Sequence, residues 1–264
     1  MLKDKKVENS LKILIRQYYD YSNERIAMDG RLGIKKDGEL KKKTPDRDEI
    51  MLAYLYTRRK EIITVEKEIE KEIRKEVNIH TLWKGFFEDV IGVGPIMAAV
   101  IITEFDIKKA NTVSKLWAFA GINPGIVFGK TGKLGNIKTS NILIRQDKKT
   151  KGFLCPYNQF LKCRLLGVLA GSFLKASSPY SKFYYDYRFR LVSLTDEEKE
   201  KRGLCKSKNP TDKNKPYASH INNRAKRYMI KMFLKDLYVA WRTLEGLPVR
   251  DPYADEYLNR KHAG

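Results

Sequence analysis

Apolar residues recur at helical spacing over most of this chain, and the stretches where that spacing fails divide it. Leu11, Leu14, Ile15, Tyr18 and Tyr19 form one stripe, which predicts a helix over 5–28. The following stretch, DGRLGIKKDGELKKKTPD, is rich in Gly and Lys and reads as an exposed basic loop. Thr44 or Asp46, with Pro45, then opens a long helix over 46–79. Its apolar positions, Met51, Leu55, Ile62, Ile69 and Val65, Ile73, Val77, step by threes, fours and sevens between Glu and Lys. Such a pattern suits a coiled-coil arm that dimerises or a long helix packed on its own domain.

The most apolar stretch is FFEDVIGVGPIMAAVIITEF, residues 86–105. A segment with Phe86, Phe87 and Val90 runs into the bend Ile91-Gly92-Val93-Gly94-Pro95, and a second apolar helix follows. Glycine lets a helix end turn left-handed without a Cβ penalty. Proline at the first position of the next helix loses no hydrogen bond. The pattern is that of a helix-hairpin-helix, aiming the N–H groups of Gly94 and Ile96 at whatever lies in front. A phosphate suits that position.

Beyond it, NTVSKLWAFAG predicts a short helix capped by Asn111 or Thr112 and closed by Gly121, with Trp117 and Phe119 in the core. Residues 122–152 hold many glycines and no helical period, and they predict short strands at Gly125–Phe128 and Asn136–Ile144. Helices are expected over 157–175 and from Pro179 to Leu191. The second carries Tyr180, Phe183, Tyr184, Tyr185, Tyr187 and Phe189, read mainly as packing residues. Residues 192–222 read as an insertion in which Asn209-Pro210 and Lys215-Pro216 break any helix. A last helix is predicted from Asn222 to Leu244, before a tail with little signal.

These elements define a mainly α chain: a helix-hairpin-helix domain, a long N-terminal helix or coiled-coil arm, and a small basic β-hairpin. The division expected is 1–80 for the N-terminal helices and loop, and 81–264 for the helix-hairpin-helix domain.

Charge adds a partner to this picture. The chain holds 53 basic and 32 acidic residues, a net of +21. Residues 107–152 carry ten basic residues and one acid, and residues 201–227 carry nine and one. So localised an excess points to nucleic acid ahead of an anionic membrane surface. The longest uncharged apolar run, Val90–Thr103, is too short to span a bilayer, and the N-terminus has no signal-peptide pattern. Cys155, Cys163 and Cys205 and the three histidines are scattered, so neither a metal site nor a cofactor is expected, and a cytoplasmic setting is.

The run IGVGPIMAAVIITEF…KLWAFAGINPG resembles the C-terminal domain of the DEDD-type insertion-sequence transposases, the bridge-RNA-guided recombinases. In that family a "PGIGP" hairpin, a "LAAYAGLxP" helix and a basic Gly-rich hairpin follow one another. The similarity continues through Tyr157–Leu165, Ser178-Pro179, Phe183-Tyr184 and the segment from Ala225 to Trp241, covering residues 83–246. The resemblance implies DNA binding and DNA transposition, with a hydroxyl nucleophile in the basic hairpin. Gly125–Thr139 contains no serine, so Thr131 and Ser140 are the nearest candidates for that role. The residues before the long helix show no strand ending in an aspartate, as the carboxylate nuclease half of that family would need.

The expected interface is therefore Gly92, Val93, Gly94, Pro95 and Ile96 on the backbone of duplex or branched DNA. Lys130, Lys133, Lys138, Arg145, Lys148 and Lys149 would follow adjacent phosphates, with Arg224, Arg227 and Lys231 on the flank. Two other functions fit the same residues: a recombinase working through Ser140 or Thr131 with a partner, and an RNA-binding or scaffold protein that homodimerises through 46–79.

Overall fold

The computed structural model describes residues 2–34, 48–133, 136–207 and 216–250. The basic loop beyond Ile34, the helix start at Thr44–Asp46, the Asn209-Pro210 break, Lys215 and the end of the tail lie outside the described residues. Among the described residues the fold is mainly α, 65% helix and 9% strand, with one small antiparallel hairpin, as the periodicity predicts.

Two units divide the chain, and they alternate along it. The first is Met1–Trp83 with Gly94–Thr103; the second is Lys84–Val93 with Glu104–Gly264. The boundary read at 80/81 lies beside the first passage between units, and residues 94–103 return to the first.

In the first unit, helix α1 (Leu2–Leu32) packs antiparallel on α2 (Glu49–Ile79). Asp48 caps α2, its side chain accepting the Ile50 N–H. Ile62, Glu66, Ile69, Ile73 and Val77 form the buried stripe of α2. Met28, Leu32 and Ile34 meet Ile62 at one end of the pair. Glu66 lies in that seam because Arg25 reaches it at 2.6 Å, while Arg59 pairs with Asp29 at 2.6 Å. Of the heptad positions, Ile62, Ile69, Ile73 and Val77 are buried, whereas Met51 is 52% exposed. Helix α4 (Pro95–Glu104) also belongs here except for its last residue; Pro95 opens it and Met97–Ile102 are buried.

The segment before the bend departs from the expected helix. Phe86, Phe87 and Val90 do not form a regular helix: α3 (Thr81–Gly85) ends early, and a 3-10 turn spans Phe87–Asp89. Phe86 leaves helical geometry, with φ −152° and ψ −56°, and its ring packs on Phe87 and Phe233. Packing of two adjacent aromatics overrides helical continuation.

The second unit is built on α10 (Ala218–Leu244). Its buried face runs through Ile221, Ala225, Met229, Phe233, Leu237 and Trp241. The buried Arg242 is satisfied by the carbonyls of Ile107, Ala110 and Pro248. Helix α5 (Val113–Phe119) packs on α10, and Trp117 Nε1 donates to the Lys231 carbonyl. The helix expected over 157–175 is α6 (Gln159–Cys163), a π-helical turn at Arg164–Leu169, and α7 (Ala170–Lys175). On α8 (Ser181–Val192), Phe183, Tyr184 and Tyr187 turn to α10, where Tyr184 bonds Asn222 and Tyr187 stacks on Tyr228. Tyr185 and Phe189 instead face solvent, 54% and 77% exposed. The insertion contains a helix not expected from its sequence, α9 (Asp196–Lys201), and α10 begins four residues before Asn222.

Candidate nucleic-acid interface

The hairpin is a two-stranded ribbon, β1 (Ile126–Lys133) against β2 (Asn136–Arg145), longer than the strands read from sequence. Ile126 pairs with Arg145, Phe128 with Leu143, Lys130 with Thr139 and Thr131 with Lys138. The register slips between Phe128 and Lys130, so that Gly129 faces Ser140–Ile142. Gly129 sits where any Cβ would enter the ring of Phe153. The Leu154 N–H donates to the Lys130 carbonyl at 2.7 Å, which holds the ribbon against this segment.

Lys130, Lys133 and Lys138 are exposed on the ribbon, and Lys148 and Lys149 on the turn that leaves it. Neither strand contains a carboxylate. Apolar side chains share the surface: Ile126, Phe128 and Leu143 are 70%, 55% and 60% exposed. Thr131 and Ser140 are half-buried, and the Ser140 hydroxyl oxygen accepts the Ile142 N–H at 3.1 Å. Among the described residues, no group of three or more His, Cys, Asp or Glu side chains is placed to hold a metal ion.

Where the ribbon ends, the cations converge on one acid. Arg145 grips Asp147 through two hydrogen bonds of 2.9 Å, and Arg227 adds a third at 3.1 Å. Lys162 donates to the Asp147 backbone carbonyl and lies over the Tyr157 ring. Burial pushes the Asp147 carboxyl up, but the Arg145 hydrogen bonds and the charges of Arg145, Arg227 and Lys162 outweigh it. The group is held below the ordinary carboxylate value.

Lys231 sits deeper than a backbone-tracking lysine would. Its amine donates to Asn123 Oδ1 at 3.0 Å and lies 4.7 Å from the centre of the Trp117 ring. Burial, then the nearby Arg227, brings its pKa down to about 8. Arg224 donates to the Gly203 carbonyl at 2.9 Å. The predicted cations thus fall into two sets. Lys130, Lys133, Lys138, Lys148 and Lys149 reach solvent from the ribbon and its exit. Arg145, Arg224, Arg227 and Lys231 are held by acceptors of their own. Sequence reasoning missed Asp147, Lys162 and Asn123. Asp147 left a signal, as the one acid among ten basic residues in 107–152.

The bend is divided between the units. Gly92 and Val93 belong to the second, where the Gly92 carbonyl accepts the Ser172 hydroxyl at 2.7 Å. Gly94, Pro95 and Ile96 belong to the first; Gly94 is exposed and its carbonyl accepts the Ala98 N–H.

No protein-family model matches the chain, and no curated protein matches it in sequence. Among the described residues no helix is long and apolar enough to cross a membrane. What the protein does must therefore be read from this surface.

Proposed function

We propose that this protein binds DNA, with the β-ribbon of the second unit as its principal contact. The ribbon itself carries the proposal: three lysines, no carboxylate and a row of exposed apolar side chains on two paired strands. A two-stranded ribbon is admitted by the major groove of B-form DNA. Lysines along its strands neutralise phosphates without reading sequence. Phe128, Leu143 and Ile126 would meet thymine methyls or bases exposed at a branch, where apolar wedges are favoured. Duplex RNA offers a deep, narrow major groove that excludes such a ribbon, so DNA is the preferred duplex.

The test is the salt dependence of affinity for duplex and four-way-junction DNA. The log–log slope flattens by about 0.9 for every phosphate that the protein no longer neutralises. Replacing Lys130, Lys133 and Lys138 together by glutamine is expected to flatten it by about 2 to 3. An unchanged slope in the folded triple variant would remove the ribbon from the interface. Phe128→Ala is expected to leave the slope alone and to weaken junction binding more than duplex binding. Equal losses on the two substrates would count against the wedge.

A further inference from the structure

The segment from Gly203 to Ser207 lies against the first turns of α10, and between them is an open cleft of about 310 Å3. Hydrogen bonds tie its walls together. Arg224 holds the Gly203 carbonyl, the Cys205 N–H donates to His220 Nδ1 at 2.8 Å, and the Ser207 N–H donates to the Pro216 carbonyl. Leu204 and Tyr217 are buried with Leu191 and Ile221 in a small core of their own.

Donors outnumber acceptors in the lining. Because a backbone N–H can only donate, His220 Nδ1 is the accepting nitrogen and Nε2 carries the ring hydrogen. Arg224 and Arg227 add guanidinium groups with five N–H each, of which one goes to Gly203 and one to Asp147. Ser219 and Asn223 complete the wall on α10. Charge is unbalanced in the same direction. Among the described residues, Lys206, Arg224 and Arg227 line the cleft and Arg145 acts on His220 from beside it, while the carboxylates that pair with them, Asp147 and Glu200, lie outside the lining. Burial, then Arg224, Arg227 and Arg145, push the His220 imidazole below its ordinary value, so all three guanidinium groups act on one ring.

We propose that this cleft binds a phosphate monoester, either the terminal phosphate of a nucleic-acid strand or that of a nucleotide. A monoester carries close to two negative charges at neutral pH, which suits a lining of three cations and no carboxylate. Guanidinium forks bind it through paired, charge-assisted hydrogen bonds. Phosphate binding stands on these residues alone; only the strand-end source rests on the DNA-binding reading.

The experiment has two arms on the intact chain. In the first, the His220 ring proton is followed by NMR through a pH titration with and without inorganic phosphate. A bound dianion favours the imidazolium, against the loss of the Cys205 N–H bond to Nδ1, so the midpoint is expected to rise by up to about one unit. In the second, single strands of equal length with 5′-phosphate or 5′-hydroxyl ends are compared, with a nucleoside monophosphate as competitor. The phosphorylated strand is expected to bind about tenfold tighter, the scale of one charge-assisted hydrogen bond, and Arg224→Gln to bring the ratio near one. Competition by the mononucleotide as strong as by the phosphorylated strand would support the monoester site and assign it to nucleotides. An unmoved His220 midpoint together with equal binding of both strands would overturn the site while leaving DNA binding standing. A shifted His220 with no binding of either strand would keep the site and overturn the DNA reading.

Discussion

Replacing Asp147 by asparagine is expected to destabilise the protein by about 1 to 2 kcal/mol, less than the roughly 3 to 5 kcal/mol of leaving a buried charge unpartnered, because both arginines reach water. The Asp147 side chain is 1% exposed and accepts from two guanidinium groups, with the Lys162 amine on its backbone carbonyl. An amide keeps the shape but loses the charge, and turns an N–H pair towards cations that also donate. Arg145 and Arg227 are 61% and 34% exposed at the side chain, so water screens part of the penalty. The same group sets a pH dependence. Its folded pKa lies below the ordinary value of 3.8, so its contribution is complete above about pH 5. That contribution is lost as acid protonates the folded carboxylate, at pH values below 3.8. Urea unfolding at pH 7 and through the acid range measures both effects. The gap between wild type and Asp147→Asn should be widest at neutral pH and close in acid. Equal midpoints at pH 7 would mean that the arginines are solvated well enough without their acid.

Gly92→Ala is expected to cost about 2 to 4 kcal/mol, and Gly94→Ala less than about 0.5 kcal/mol, although only Val93 separates them in the bend. Gly92 has φ +98°, which L side chains rarely adopt, and a Cβ there would stand 2.8 Å from Phe173 Cδ1. That ring cannot give way easily: Phe173 is fully buried, stacked on Tyr180 and edge-on to Phe233. Backbone strain and overpacking therefore add. A Cβ at Gly94 meets nothing within 4 Å. Thermal unfolding of the two single variants separates the positions, and a tolerated Gly92→Ala would show that Phe173 can repack. The contrast also decides how the bend is tested as a phosphate contact. Gly94→Ala leaves the fold intact while placing a methyl group where a DNA backbone would approach. Weakened DNA binding in that variant would put the bend in the interface, and unchanged binding would leave it a turn of the fold.

The helices that bury a wide apolar face were legible in the sequence because burial imposes a period, as in α1, α2 and α10. Elements held by other forces were not. Helix α9 buries no residue and is fixed by a capping box in which Thr195 and Glu198 exchange hydrogen bonds. The π-helical turn at Arg164–Leu169 leaves no compositional mark, and the ring packing of Phe86 that interrupts a helix involves residue 233. The candidate surface shows the same division. The basic stretches and the ribbon were visible as composition and missing periodicity. Which cations are engaged was not, because their acceptors lie far along the chain. Arg227 finds Asp147 80 residues away, and Lys231 finds Asn123 108 residues away.

The alternation of the two units has a consequence for how the protein is made. A chain emerges from the ribosome with its N-terminus first. Helices α1 and α2 appear early, yet their unit lacks residues until Thr103 has followed. Lys84–Val93, already synthesised by then, belong to a unit whose remaining residues begin only at Glu104. Any single cleavage between Trp83 and Glu104 leaves at least one fragment short of its own residues. Once Thr103 has emerged the first unit has all of its residues and can close, while Lys84–Val93 wait within it in sequence for the chain from Glu104 onward.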